Sequence, residues 1–252
     1  MSPIIMPTRR EIASAKARLE YREGIFHIAV AGIAGSGKSS LINALRGLMN
    51  NDTRAAPTGV TEMTKRITRY PDPNAANPWV WYDVPGAGTL NIPDSQYFND
   101  HGLYIFDCII VLIDNRFMDT DVAILRHCAR FCIPAYIVRS KSLQHITNIM
   151  NDVYGTDNDD NSLTAEERAE RWNDVRGRYE RQSRENVAQN LQQAGLPDQN
   201  LYLVDKDTMT RVYGNSVSNQ TKVLDEVQLL TDPFTKARSR RSLSASSSSP
   251  YA

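Results

Sequence analysis

Cysteine is scarce in this chain: Cys108, Cys128 and Cys132 are the three in 252 residues. An odd number in apolar contexts suits buried thiols in a reducing compartment and argues against a disulfide framework. No Cys/His spacing suits a metal site, and His127, Cys128 and Cys132 read as one core helix. Neither sign of charge dominates: 29 Lys and Arg balance 29 Asp and Glu, so nothing global points to a nucleic-acid partner. No apolar run is long enough to span a bilayer and no signal peptide opens the chain. Ser2 stands where N-myristoylation needs glycine. The expectation is a cytoplasmic protein with no transmembrane segment and no nucleic-acid partner.

What is present is ordinary globular material, 41% hydrophobic and 23% charged, long enough for one domain plus extensions. The charge is unevenly placed. Lys236, Arg238, Arg240 and Arg241 stand in a segment without acids, among repeated serines. That composition predicts a disordered tail over 233–252, inert or else a target of phosphorylation or acidic surfaces.

The informative stretch is Gly32-Ile33-Ala34-Gly35-Ser36-Gly37-Lys38-Ser39. It reads Gly-x-x-x-x-Gly-Lys-Ser, the phosphate-binding P-loop pattern. The bare pattern arises by chance in roughly one chain of this length in a hundred, so the flanks decide. Phe26 to Ala31 is a short apolar run of the buried-strand type, and Leu41, Ala44 and Leu45 follow at helical spacing. Glycines let backbone N–H groups close on phosphate oxygens, and the helix N-terminus adds partial positive charge. Lys38 is placed to reach the β- and γ-phosphates, and the Ser39 hydroxyl to ligate Mg²⁺.

A polar loop over 47–56 leads to a threonine-rich segment, where Thr58, Thr61 and Thr64 are candidates to ligate Mg²⁺ and sense the γ-phosphate; spacing alone does not choose between them. A strand follows over 65–70. Trp79 to Asp83 is a strand that ends in Asp83-Val84-Pro85-Gly86. Paired with the P-loop, Asp-x-x-Gly supplies Asp83 to the Mg²⁺ shell and the Gly86 N–H to the γ-phosphate. Ala87 follows where Ras-type enzymes carry the glutamine that orients the attacking water, so hydrolysis should be slow or depend on a partner's group.

Further on, 108–114 reads as a buried parallel strand. Residues 120–131 read as a helix with Val122, Leu125, Ala129 and Cys132 on one face, and 135–139 as the next strand. It runs into Ser140-Lys141-Ser142-Leu143, where GTPases carry Lys-x-Asp to hold guanine. Leucine cannot accept guanine's hydrogen bonds, a loss on the order of 3 kcal/mol. A loop over 151–161 precedes a capping box at Thr164 and Glu167, which opens a long helix. Its apolar stripe is Ala165, Ala169, Trp172, Val175, Tyr179, Val187 and Leu191. Strand 201–205, a base-side loop over 205–208 and a helix over 219–230 complete the reading. At the other end, 8–22 reads as an amphipathic helix, either packed on the domain edge or touching a partner or membrane surface.

In this order the motifs resemble the G domain of the immunity-related (interferon-inducible) GTPase family. That family's first switch runs Thr-Gly-Val-x-Glu-x-Thr, matched by Thr58 to Thr64. Its third motif is Asp-x-Pro-Gly-x-Gly-Thr, matched by Asp83 to Thr89, and its base motif follows Val-Arg, here Val138-Arg139. The resemblance spans roughly 8–232 and is weakest after Arg139. Leu143 departs from it, and the family continues into a C-terminal helical domain beyond the matched stretch.

The resemblance implies GTP or GDP bound with Mg²⁺, slow hydrolysis, and homo-oligomers formed through the G domain. It carries over Gly32, Ala34, Gly35, Ser36, Gly37, Lys38, Ser39, Ser40, Thr58, Gly86, Ser140 and Lys141 as nucleotide contacts. Ser39, Thr64 and Asp83 carry over as Mg²⁺ ligands, and Lys38 and Thr64 as catalytic residues. The expected fold is α/β, a three-layer, doubly wound, mostly parallel sheet of the P-loop type. Its expected parts are an N-terminal helical extension (1–25), a G domain (26–232) and the tail (233–252). A degenerate or scaffolding domain without guanine selectivity is the competing reading. A P-loop kinase ranks below both.

Overall fold

Along Phe26–Ala31 (β1) every residue is buried, because the strand has neighbours on both edges and helices on both faces. Parallel to it lie Trp79–Asp83 (β3) on one side and Cys108–Ile113 (β4) on the other. Ala135–Arg139 (β5) and Leu201–Leu203 (β6) extend the parallel sheet. Thr68–Pro71 (β2) pairs antiparallel with β3, giving the order β2-β3-β1-β4-β5-β6. The computed structural model describes residues 6–59, 66–86, 94–114, 117–155, 163–216 and 220–235.

Alternation along β1 divides the core into two layers. Ile28 and Val30 pack with Leu41, Ile42 and Leu45 of Lys38–Leu45 (α2), Met209 of Lys206–Tyr213 (α7) and Leu229 of a last helix over 226–235 (α8). Ala29 and Ala31 face the other way. There they join Phe98 of Asp94–Asp100 (α3), Leu125 of Asp119–Arg130 (α4), Ile146 of Ser142–Tyr154 (α5) and Val187 of Ala165–Gln193 (α6). The result is the expected three-layer α/β arrangement.

The N-terminal helix Arg9–Arg18 (α1) is shorter than the 8–22 expected; Thr8 caps it and Glu11 completes a capping box. Its Ala15 and Leu19 are buried in the same core layer as Ala29. The Tyr82 hydroxyl donates to Leu19 O (2.9 Å). The helix therefore packs on the domain, the simpler of its two readings.

Several expectations are corrected. The buried face of α4 is Asp121, Ile124, Leu125, His127 and Cys128, while Ala129 is exposed. Cys132 lies beyond the helix, exposed and with φ of 52°, so it is not a buried core thiol. Helix α5 runs through Asn151–Tyr154, read as loop. In α6 the stripe begins at Trp172, partly buried against the core, continues from Val175 and includes Ser183; Ala165 and Ala169 are exposed. Residues 205–208 start α7 rather than forming a loop. The last helix starts at 226 and reaches 235, three residues into the expected tail. Among the described residues no helix is long and apolar enough to cross a membrane.

Candidate phosphate-binding site

The strand ends carrying the motifs converge because β1, β3, β4 and β5 run parallel and close side by side. The loop after β1 begins at Gly32, which has φ of 142°. A Cβ there would lie 2.2 Å from the Leu112 carbonyl oxygen of β4. Only glycine lets this strand end lie so close to its neighbour. Gly35 and Gly37 adopt left-handed conformations, and Gly37 is the N-cap of α2 without a side-chain cap. The first backbone N–H groups of α2 thus have no capping side chain, the arrangement that receives phosphate oxygens.

Within the loop, Lys38 is buried and its ammonium donates to Gly32 O (3.2 Å) and Ile33 O (2.9 Å). Ser36 is fully buried and its hydroxyl donates to Ile33 O (2.9 Å). Ser39 Oγ donates to Asp83 Oδ2 at 2.5 Å. A hydroxyl and a carboxylate brought together at a P-loop form a hard oxygen donor pair that fits Mg²⁺. Asp83 is 1% exposed. Tyr70, on the neighbouring strand, is held above the usual phenol range by burial and then by the charge of Asp83. Ser40 is half-buried and accepts from Asn50 Nδ2 (3.2 Å).

Gly86 brings the third motif onto the P-loop. A Cβ at Gly86 would sit 2.6 Å from both N and Cα of Ala34. In the peptide that precedes Gly86, the Pro85 carbonyl accepts from the Tyr97 hydroxyl of α3 (2.7 Å).

The base side is joined to the loop through Ser140, whose hydroxyl donates to Ser36 O (3.1 Å). Lys141 is exposed, the N-cap of α5, with φ of 60°. A lysine in the left-handed region is uncommon and strained. Behind it, Ser142 N–H donates to Val204 O (3.1 Å) and Tyr179 Oη to Ser142 Oγ (3.2 Å). His145 is kept below the usual imidazole range by burial, then by Arg139. Leu143 is half-buried against the core layer of α4 to α6.

Two acids follow β6 on the base side. Asp205 accepts from the N–H groups of Asp207 (3.0 Å) and Thr208 (3.5 Å), capping α7, and Asp207 pairs with Lys206 (3.0 Å). Of the switch residues, Thr58 is exposed and near the end of its described stretch. Thr61, Thr64, Ala87, Gly88 and Thr89 lie outside the described residues.

The sequence reading missed two residues beside this site. Asn43 is fully buried in α2; its Nδ2 donates to Ala56 O (3.0 Å) and its Oδ1 accepts from Ala56 N (2.6 Å). A polar residue on an otherwise apolar helical face was the available signal. Tyr97 gave none, because α3 offers only Tyr97 and Phe98 as apolar residues in seven.

Comparison with known proteins agrees with this geometry. Residues 12–213 match the sequence profile of the interferon-inducible GTPase (IIGP) family. Over 136 residues the chain is 38% identical to Interferon-inducible GTPase 1 of Mus musculus, covering 54% of this chain and 33% of that protein. Over 181 residues it is 32% identical to Interferon-inducible GTPase 5 of Rattus norvegicus, covering 70% and 34%. The chain thus spans about a third of the length of the curated relatives it matches. Among solved structures, the LeoA bacterial dynamin GTPase from ETEC superposes with a TM-score of 0.53 at 16% identity, over 94% of this chain and 41% of that one. That likeness concerns the fold alone.

Proposed function

Because the chain belongs to the interferon-inducible GTPase family, we propose that it binds GTP and GDP with Mg²⁺ and hydrolyses GTP slowly. The observation that carries this reading is the 2.5 Å pair between Ser39 and Asp83 beside the Lys38 loop. The α2 N-terminus and the glycine loop would hold the phosphates through backbone N–H groups. Lys38, which donates to the loop carbonyls of Gly32 and Ile33, would carry its charge to the β- and γ-phosphates. Ser39 and Asp83 would hold Mg²⁺, with Thr64 as the expected switch ligand. Bound Mg²⁺ neutralises charge on the phosphate oxygens. The Gly86 N–H would meet the γ-phosphate. Ala87 has no group to orient water, which supports slow turnover or a requirement for a partner's residue.

A second reading rests on Leu143. The base-side segment carries Leu143 where GTPases carry the acceptor that reads guanine. A domain binding nucleotides without guanine selectivity fits that observation.

Residues 26–232 would carry the activity, with 1–25 an N-terminal extension and 233–252 a basic serine-rich tail. Pairing of copies through the G domain in the presence of nucleotide belongs to the same proposal, as does a cytoplasmic location, supported by three cysteines without a disulfide.

The test is equilibrium binding of fluorescent GTP, GDP and ATP analogues with Mg²⁺, for the wild type, Lys38→Ala and Leu143→Asp. Guanine binding lost in Lys38→Ala supports the first reading. Equal binding of all three, with guanine preference appearing in Leu143→Asp, supports the second.

A further inference from the structure

We propose that Tyr97 is a positioning residue whose buried hydroxyl aims the Gly86 N–H at the terminal phosphate of the bound nucleotide. The inference rests on the nucleotide-binding reading above and names how that site tells a triphosphate from a diphosphate.

The Tyr97 hydroxyl donates to Pro85 O at 2.7 Å. The Pro85 carbonyl and the Gly86 N–H belong to one peptide unit. A trans peptide is planar, with its C=O and N–H pointing in opposite directions. Fixing the carbonyl toward α3 therefore fixes the N–H on the other side. Gly86 itself lies against the P-loop, since a Cβ on it would lie only 2.6 Å from Ala34 N and Cα, so the amide fixed by Tyr97 sits beside the loop that would receive the phosphates. A hydrogen bond accepted by the carbonyl also polarises the peptide and makes its N–H a stronger donor.

The tyrosine itself is held. It is 7% exposed, its ring packs on His101 (centroids 4.5 Å apart), and the far end of α3 is tied to α1 by Arg18 Nη2 donating to Asp100 O (3.2 Å). On the other flank, Val84 N–H donates to Val30 O (3.2 Å). The peptide before Gly86 is thus clamped between β1 and α3. Packing alone would be served by phenylalanine. The hydroxyl adds orientation of one amide.

The experiment measures affinity for mant-GDP and mant-GTPγS with Mg²⁺ on the full chain. The proteins are the wild type, Tyr97→Phe, and a protein with 4-aminophenylalanine at position 97, which keeps an N–H donor. Tyr97→Phe is expected to lose on the order of tenfold for GTPγS and less than about twofold for GDP, whose phosphates stop short of Gly86. The amino variant recovers most of that loss. An unchanged GTPγS affinity, an equal loss for both nucleotides, or a wild type that does not distinguish them overturns the assignment. A wild type that binds neither nucleotide overturns the nucleotide-binding reading itself, a separate result. If Tyr97→Phe does not fold, the Gly86 amide resonance of the wild type decides. It should move when GTPγS replaces GDP, and a stationary resonance overturns the proposal.

Discussion

Adding one methyl group at position 86 should separate the two walls of the site. In Gly86→Ala the new Cβ would lie 2.6 Å from Ala34 N and Cα, where ordinary contact begins at 3.4 Å, so about 0.8 Å must be found by moving backbone. Neither wall yields readily. The P-loop side is fixed by the close approach of Gly32 to Leu112 O, and the other by the bonds from Val84 to Val30 and from Tyr97 to Pro85. Overpacking of this kind costs about 1–3 kcal/mol. A displacement of that size also takes the Gly86 N–H out of hydrogen-bond range of a phosphate placed for the native site. Urea unfolding should show the lower midpoint with an unchanged m-value, and GTPγS affinity should fall about tenfold more than GDP affinity. A variant with wild-type stability and wild-type preference would refute the close packing of the third motif on the P-loop.

Other perturbations test different parts of the account. Asn43→Ala leaves the Ala56 N–H and C=O without their buried partner, and should cost about 2–4 kcal/mol in urea unfolding; a loss under about 0.5 kcal/mol would contradict the clamp. Burial pushes the Glu226 carboxyl up to about 7 from its usual 4.5, although it accepts from the N–H groups of Asp205 and Leu224. The fold therefore holds a proton that the unfolded chain releases, so this group's contribution falls as pH rises from 4.5 through 7. The difference is on the order of 3 kcal/mol, and Glu226→Gln should flatten that part of a stability–pH profile. A profile unchanged by the substitution would remove Glu226 as the cause.

Much of the fold was legible because it rests on short, unambiguous apolar runs. β1, β3 and β5 lie where the sequence places them, since central parallel strands are buried on both faces and read as near-continuous apolar runs, interrupted in β1 by His27 alone. The capping box at Thr164 and Glu167 is likewise readable, because both partners lie within one turn. The helix faces were less so. In α4 the buried set includes Asp121 and His127, the latter stacked on Phe98 (4.8 Å), and tertiary contacts outweigh hydropathy there. Asp205 read as part of a base-side loop, yet an aspartate followed by Asp207 and Thr208 N–H groups is also an N-cap. The site's glycines, lysine and Ser39 were visible as a motif. The support from Tyr97 and Asn43 was not, because a hydrogen bond to a distant main chain leaves no periodic trace.

The most direct measurement is GDP affinity in Mg²⁺ and in EDTA, for the wild type and Ser39→Ala. The account predicts that Mg²⁺ strengthens binding to the wild type and that most of this gain disappears in Ser39→Ala, whose hydroxyl otherwise meets Asp83 at 2.5 Å. Affinity indifferent to Mg²⁺, or a gain fully retained without the Ser39 hydroxyl, would contradict the assignment of Ser39 and Asp83 as the metal-holding pair.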